Sequence, residues 1–221
     1  MCKFTTIILL CGAFSIFSTQ VSAQNVDINL LRNINGTTSS NLRNYSIFMS
    51  NSTTVVAVST PLVMGVVALV EKDDDLLKNA LYVGVSLGVD GVLTYGLKSV
   101  VGRPRPYVTY PDINHYTTET SNSFPSGHTS LAFATATALT LKYPKWYVIA
   151  PSYFWACSVG YSRLNLGVHY PSDVLAGAVL GAGSAYVTSL MNDWYWKKRE
   201  NKKLINSWET LSMKKLKNEK M

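Results

Sequence analysis

Two histidines, a carboxylate and a set of fixed cations stand at the ends of apolar runs in this chain, and their types suit the handling of an anion. His169 lies on a short segment between two apolar runs, with Asp173 four residues further on. Pro171 between them is favoured in the first turn of a helix, which puts Asp173 near a helix start and within reach of His169. A carboxylate that holds one imidazole nitrogen sets the tautomer and leaves the other nitrogen free as base or nucleophile. Arg163 ends the preceding apolar run. Pro125-Ser126-Gly127-His128 precedes a run of small and apolar residues. It reads as a helix start whose free N–H groups and hydroxyl can receive a phosphate, and it brings a second histidine. Lys98 to Pro106 carries Lys98, Arg103 and Arg105 on a segment that two prolines keep from continuing as helix.

Taken together these residues resemble a known signature. Lys98 with six residues before Arg105-Pro106, then Pro125-Ser126-Gly127-His128, then Ser162-Arg163 with five residues before His169 and three before Asp173, is similar to the three-part motif of the type 2 phosphatidic acid phosphatase superfamily. That superfamily also holds bacterial class A acid phosphatases and vanadium haloperoxidases. Every signature position between Lys98 and Asp173 is filled. The resemblance implies that His169 is a nucleophile forming a phosphohistidine, oriented by Asp173. It implies that Lys98, Arg105 and Arg163, with Ser126 and the Gly127 amide, hold the phosphoryl oxygens. His128 would protonate the leaving group and later activate water. No metal and no cofactor are implied, because the cations supply the electrostatic stabilisation. Arg103 lies outside the signature and is expected to make loop or headgroup contacts.

Each residue alone has a plainer use: an arginine at a helix end snorkels to headgroups, and a lone histidine is usually a satisfied polar group. Only the joint spacing favours catalysis. The net charge of +7 does not point to nucleic acid, since residues 197–221 hold nine Lys/Arg against three Glu and leave about +1 for the rest. A basic tail after an apolar run reads as a cytoplasmic anchor under the positive-inside rule. Cys2 and Cys11 fall in the leader and Cys157 in an apolar run, so no disulfide framework is available; Cys157 is expected to be a small buried hydrophobe.

Along the chain, residues 1–23 read as a secretory signal cleaved after Val21-Ser22-Ala23, with a retained first membrane helix as the alternative. Either places residue 24 outside the cytoplasm. Residues 24–52 read as a polar extracytoplasmic segment with one or two short surface helices and no part in the chemistry; its sequons Asn35-Gly36-Thr37 and Asn51-Ser52-Thr53 read as chance. Residues 53–196 form the expected phosphatase helical-bundle domain, and 197–221 the basic cytoplasmic tail. Within the bundle, Thr54–Val70, Leu76–Leu97, the short Ser130–Leu141, Trp146–Tyr161 and Val174–Met191 are the expected spans. Asp90 is expected to hydrogen-bond inside the bundle, and Gly177, Gly181 and Ser184 to admit a close helix neighbour. Tyr107, Tyr110, His115 and Tyr116 suggest an interfacial rim or a plain solvated loop.

The fold class is therefore all-α: a membrane-embedded bundle of about five spans after a signal peptide, with a core like that of the type 2 phosphatidic acid phosphatase and haloperoxidase bundle. Counting spans from an outside residue 24 brings all three signature segments to the outer face. The expected protein sits in a bacterial inner membrane with its site facing the periplasm. Its expected activity is metal-independent hydrolysis of lipid phosphate monoesters or diphosphates, of the phosphatidic acid, phosphatidylglycerol phosphate, undecaprenyl diphosphate or lipid A type. A soluble periplasmic acid phosphatase and a non-catalytic phospholipid-binding membrane protein are the alternatives.

Overall fold

A computed structural model of the chain describes residues 20–218, so most of the expected signal peptide falls outside the described residues. Seven helices follow: α1 (Gln20–Gly36), α2 (Ser40–Glu71), α3 (Asp74–Val101), α4 (Pro106–Thr109), α5 (Gly127–Lys142), α6 (Trp146–Asn165) and α7 (Pro171–Asn218). No strand occurs among the described residues.

Local chemistry sets the helix ends. Ser39 caps α2 by accepting from the Leu42 amide, and Lys72 closes that helix in the left-handed region at φ 56°. Asp73 then caps α3, accepting from the amides of Asp75 and Leu76, with Asp74 and Asp75 in the first turn where carboxylates suit the helix dipole. Gly102 ends α3 at φ 61°, and Pro106 and Pro171 open α4 and α7. The charged turn after Val70 is therefore a C-cap joined directly to an N-cap.

Side-chain contacts give the direction of each helix. Gly84 of α3 lies against Pro61 of α2 and Gly65 against Ala80, so α2 and α3 run antiparallel. Ser130 of α5 bonds Asp90 and Thr94 of α3, while Gly127 faces Lys98, so α5 runs antiparallel to α3. Thr137 meets Tyr153 and Thr129 meets Gly160, which makes α6 antiparallel to α5. Gly177 and Gly181 of α7 lie against Ser126 and Ser130 of α5, so these two run parallel. Helix α5 is central, with Ser130, Ala132, Ala134, Thr135, Ala136 and Ala138 all buried. Small side chains let backbones approach closely where lipid offers no hydrophobic drive between helices.

Among the described residues, three stretches are long and apolar enough to cross a bilayer: Ser40–Glu71, Asp74–Thr109 and Pro171–Trp208. Their outward faces carry Leu62, Val66, Val92, Val100 and Val179, all exposed. Helices α5 and α6, of 16 and 20 residues, complete the bundle between them. Asp90 is buried and accepts from Ser130 and Ser184, as expected of a carboxylate satisfied inside the bundle.

Three local expectations change. Residues 40–52 are the opening turns of α2 and not a separate surface helix, because nothing between Ser40 and Thr54 stops a helix. The basic tail is continuous with the last span, since α7 runs unbroken to Asn218. Cys157 is exposed, because α6 turns Ala156, Val159 and Gly160 toward α5 and leaves residue 157 on the outer side.

A Cβ on Gly181 would collide with the Ser130 carbonyl and come 2.9 Å from the Ala134 amide nitrogen, whereas one on Gly183 would meet nothing within 4 Å. Gly181→Ala is expected to destabilise the bundle by about 1–3 kcal/mol through overpacking, despite the better helix propensity of alanine. Gly183→Ala is the control and should be neutral or slightly stabilising. Thermal unfolding in detergent checks both; equal midpoints would contradict the close α5–α7 approach.

Candidate active site

Antiparallel packing brings the ends of four helices to one end of the bundle. Lys98 comes from the last turn of α3, Arg105 from the segment after it, Ser126 to His128 from the start of α5, and Arg163 from the last turn of α6. His169 and Asp173 come from the α6–α7 turn and the first turn of α7. Lys142 with Asp193 and Lys78 with Trp196 mark the opposite end. All eight predicted site residues therefore converge.

His169 is 1% exposed. Its Nε2 lies 3.2 Å from Arg105 Nη1, and a guanidinium can only donate, so Nε2 carries the lone pair. The ring proton is thereby assigned to Nδ1, which lies 3.3 Å from Ser123 Oγ and 3.5 Å from Asp173 Oδ2. Ser123 Oγ in turn donates to Asp173 Oδ2 at 2.5 Å. The carboxylate thus orients the imidazole partly through a hydroxyl that no sequence feature singles out. Burial pushes the His169 imidazole down to about 3, against the pull of Asp173 and helped by Arg163 and Arg105. Neutral imidazole with an unprotonated Nε2 is the nucleophilic form.

The cations take backbone acceptors from the loop between α4 and α5 and from the turn between α6 and α7. Lys98 Nζ donates to Asn122 O at 2.5 Å, and Arg105 donates to Ser121 O at 2.8 Å and Val168 O at 2.9 Å. Arg163, 1% exposed, donates to Ser50 and pairs with Glu119. Its Nε is buried without a hydrogen-bond partner, an unmade bond that an anionic oxygen would complete. Ser126 Oγ lies 2.9 Å from Thr129 Oγ1, and the Ser126 amide donates to Asp173 O at 3.0 Å, which ties the start of α5 to the start of α7. The charges of Arg163, Glu119, Arg105 and Lys98 all act on His128.

Glu119 is, with Ser123, a residue of the site that the sequence did not mark. It pairs with Arg163 and lies 3.9 Å from Arg105, so a carboxylate stands among the cations. Burial pushes Glu119 up, but Arg163, His128 and Arg105 outweigh it and hold the carboxyl below its ordinary value. It sits on a tyrosine-rich connection with no helix or motif around it, so nothing local marks it. Tyr107 and His115 of the expected rim stack at 4.5 Å, and the Tyr107 hydroxyl donates to Glu119 O at 3.2 Å.

Residues 24–52 do take part, against expectation. Asn35 is buried and bridges Asn114 O at 2.8 Å and Asn165 O at 3.0 Å, fastening α1 to the loop and to the end of α6; an amide so used is no glycosylation acceptor. Ser50 holds Arg163. Arg103, expected to contact loop or headgroups, instead binds Asp173 and Asp27.

The sequence profile of the PAP2 superfamily matches residues 79–197, more than half of the chain. The chain belongs to the PAP2 superfamily. Among curated relatives of this PAP2 protein, the bacitracin transport permease protein BcrC of Bacillus licheniformis is 37% identical over 110 residues, covering 48% of this chain and 51% of that one. The lipid A 1-phosphatase of Rhizobium johnstonii is 33% identical over 120 residues, covering 50% and 46%. The chain thus spans about half the length of the curated relatives it matches. Among solved structures, a transmembrane PAP2 type phosphatidylglycerolphosphate phosphatase from Bacillus subtilis superposes with a TM-score of 0.67 at 24% identity, covering 84% of this chain and 95% of that one. That likeness establishes the fold. Three long apolar helices in this fold make the PAP2 protein an integral membrane protein, which removes the soluble alternative.

Two outcomes are expected of the site itself. In a nitrogen-15 titration of the free protein, His169 stays neutral at about pH 5, where a solvated histidine is almost fully protonated; a midpoint near the ordinary value would contradict its burial. Replacing one partner of a buried ion pair costs about 3–5 kcal/mol, somewhat less here because Glu119 is a quarter exposed. Glu119→Gln should therefore lower the unfolding temperature of the free protein, and orthovanadate should raise it more in the variant than in the wild type. Equal shifts would mean that Glu119 does not share the anion position.

Proposed function

We propose that this PAP2 protein is a metal-independent phosphatase that hydrolyses phosphorylated lipids through a phosphohistidine at His169. The observation that carries the reading is a buried imidazole with its Nε2 lone pair facing Arg105 and its Nδ1 proton facing Ser123 and Asp173. It opens onto the cluster of Lys98, Arg105 and Arg163, and a structural histidine has no need of that company.

Phosphoryl transfer needs in-line attack, neutralised oxygens and a proton for the leaving oxygen. In the first step the Nε2 lone pair of His169 bonds to phosphorus as the bond from phosphorus to the leaving oxygen breaks. That oxygen takes a proton from His128, and the Nδ1 proton stays between His169, Ser123 and Asp173. In the second step His128, now neutral, removes a proton from water. The hydroxide oxygen bonds to phosphorus, the phosphorus–nitrogen bond breaks, and His169 is restored as inorganic phosphate departs. Lys98, Arg105, Arg163 and the amides at the start of α5 hold the three non-bridging oxygens throughout. Glu119 yields its place beside Arg163 to the incoming phosphoryl group.

A lipid substrate fits a site set at one end of a membrane bundle, and the lipid A 1-phosphatase relative points to the same substrate class. Lipid A phosphates, undecaprenyl diphosphate, phosphatidylglycerol phosphate and phosphatidic acid are the candidates. The site faces the periplasm of an inner membrane in this reading, with the basic extension of α7 on the cytoplasmic side.

Phosphate release from a panel of these lipids by purified protein is the test. His169→Ala should abolish release. His128→Ala should slow it by about a hundredfold to ten-thousandfold and accumulate acid-labile phosphoprotein, since the general acid and base is missing while the nucleophile remains. Full activity in folded His169→Ala protein would remove the mechanism, and tight binding of lipid phosphates without any release would favour a binding role.

A further inference from the structure

Arg103 is built into the molecule differently from the three cations around the anion position. Its Nη1 donates to Asp173 Oδ1 at 2.7 Å and to Ser172 Oγ at 2.7 Å, and its Nη2 donates to Asp27 Oδ2 at 2.8 Å. Its guanidinium lies over the Tyr170 ring, 3.7 Å from the centroid. Asp27, on α1, also accepts from the Ser172 amide at 2.8 Å and from Ser172 Oγ at 2.5 Å. One α1 carboxylate therefore caps the first turn of α7 and anchors Arg103 at once.

The two oxygens of Asp173 are divided between opposite tasks. Oδ2 receives Ser123 Oγ, the Tyr170 amide at 3.1 Å and the imidazole side of His169, while Oδ1 receives Arg103. Arg103 thus stands on the far side of the carboxylate from the nucleophilic nitrogen. It also lines a cleft of about 990 Å³ with Asp27, Ser172, Leu30, Pro104 and Phe124, a cleft whose walls do not include Lys98, Arg105, Arg163 or His169. A cation so placed cannot touch a phosphoryl group held at Nε2. What it can do is stop the carboxylate from rotating, because a guanidinium bridging two carboxylates fixes both planes.

We propose that Asp27 and Arg103 form a positioning clamp behind the reacting pair, in which Asp27 holds Arg103, Arg103 holds Asp173 Oδ1, and the carboxylate is thereby kept facing the His169 Nδ1 proton. The clamp makes α1 part of the catalytic apparatus, and its catalytic consequence rests on the phosphatase reading above. Partners that orient a ligating or reacting histidine typically change activity about ten- to a hundredfold when removed.

The test uses the full chain in lipid nanodiscs, with phosphate release from the best lipid of the panel and nitrogen-15 spectra of His169 assigned by its loss in His169→Asn. Arg103→Ala should lower kcat about ten- to a hundredfold with little change in KM, whereas Arg105→Ala should raise KM. Arg103→Lys, which keeps a donor and the charge, should recover part of the loss. Asp27→Ala combined with Arg103→Ala should be no slower than Arg103→Ala alone, because the two act in series. The spectra should show the Nδ1–H tautomer in the wild type and a mixture of tautomers in Arg103→Ala. Should Arg103→Ala fail to fold, Arg103→Lys and Asp27→Asn carry the same comparison. An unchanged kcat and an unchanged tautomer in folded variants would overturn the clamp. If the wild type releases no phosphate from any lipid, the phosphatase reading fails by itself, and the tautomer comparison still decides whether Arg103 and Asp27 orient His169.

Discussion

Gathering positive charge in a buried place is the constraint on which the rest of this molecule turns. Lys98, Arg105 and Arg163 repel one another, and each loses hydration by leaving water, so the arrangement stands only if acceptors are brought to it. Three of the acceptors come from the connection between α4 and α5, the carbonyls of Ser121 and Asn122 and the carboxylate of Glu119, and Val168 O and Ser50 Oγ add to them. The shape of that loop and the charge of the site are thus one problem with one solution. In the proposed function a phosphoryl group would satisfy the same donors with more charge and more oxygens than a carboxylate can offer.

The four guanidinium and ammonium groups near the site divide by geometry and not by charge. Three of them surround Glu119 and the Nε2 side of His169. Arg103 is turned away, engaged with Asp27 and with the far oxygen of Asp173. Charge alone would treat all four alike; hydrogen-bond direction separates the cations gathered near Glu119 from the one bound to the far oxygen of Asp173.

Distance within the site is set from well inside the bundle. Gly177 and Gly181 let α7 lie almost backbone to backbone on α5, with a Cβ on Gly177 only 2.6 Å from the Ser126 carbonyl. This close approach lets the Ser126 amide donate to the Asp173 carbonyl, and so fixes the spacing between the start of α5 and the His169–Asp173 pair. The buried Asp90, satisfied by Ser130 and Ser184, joins α3 to the same seam. Small residues two turns below the site are therefore part of its precision.

The alternation of apolar runs with charged or proline-bearing turns is a local property, so the amino-acid order by itself determined the antiparallel bundle, the shared end at which Lys98, Arg105, Arg163, His128, His169 and Asp173 meet, and the close-packing role of Gly181. It also determined membership of the PAP2 superfamily, because motif spacing is a property of residue order. Partners drawn from distant or featureless segments were decided only in three dimensions. Ser123 and Glu119 lie on an irregular loop with no periodicity to betray them, and Asp27 and Asn35 lie on a polar stretch that looks like solvated surface. The outward turn of Cys157 depends on which face of α6 packs against α5. Hydrogen bonds such as Ser172 to Asp27 span 145 positions of chain. Such a bond is specified by where helices dock, and docking follows from the packing of all their faces at once, which no local stretch encodes.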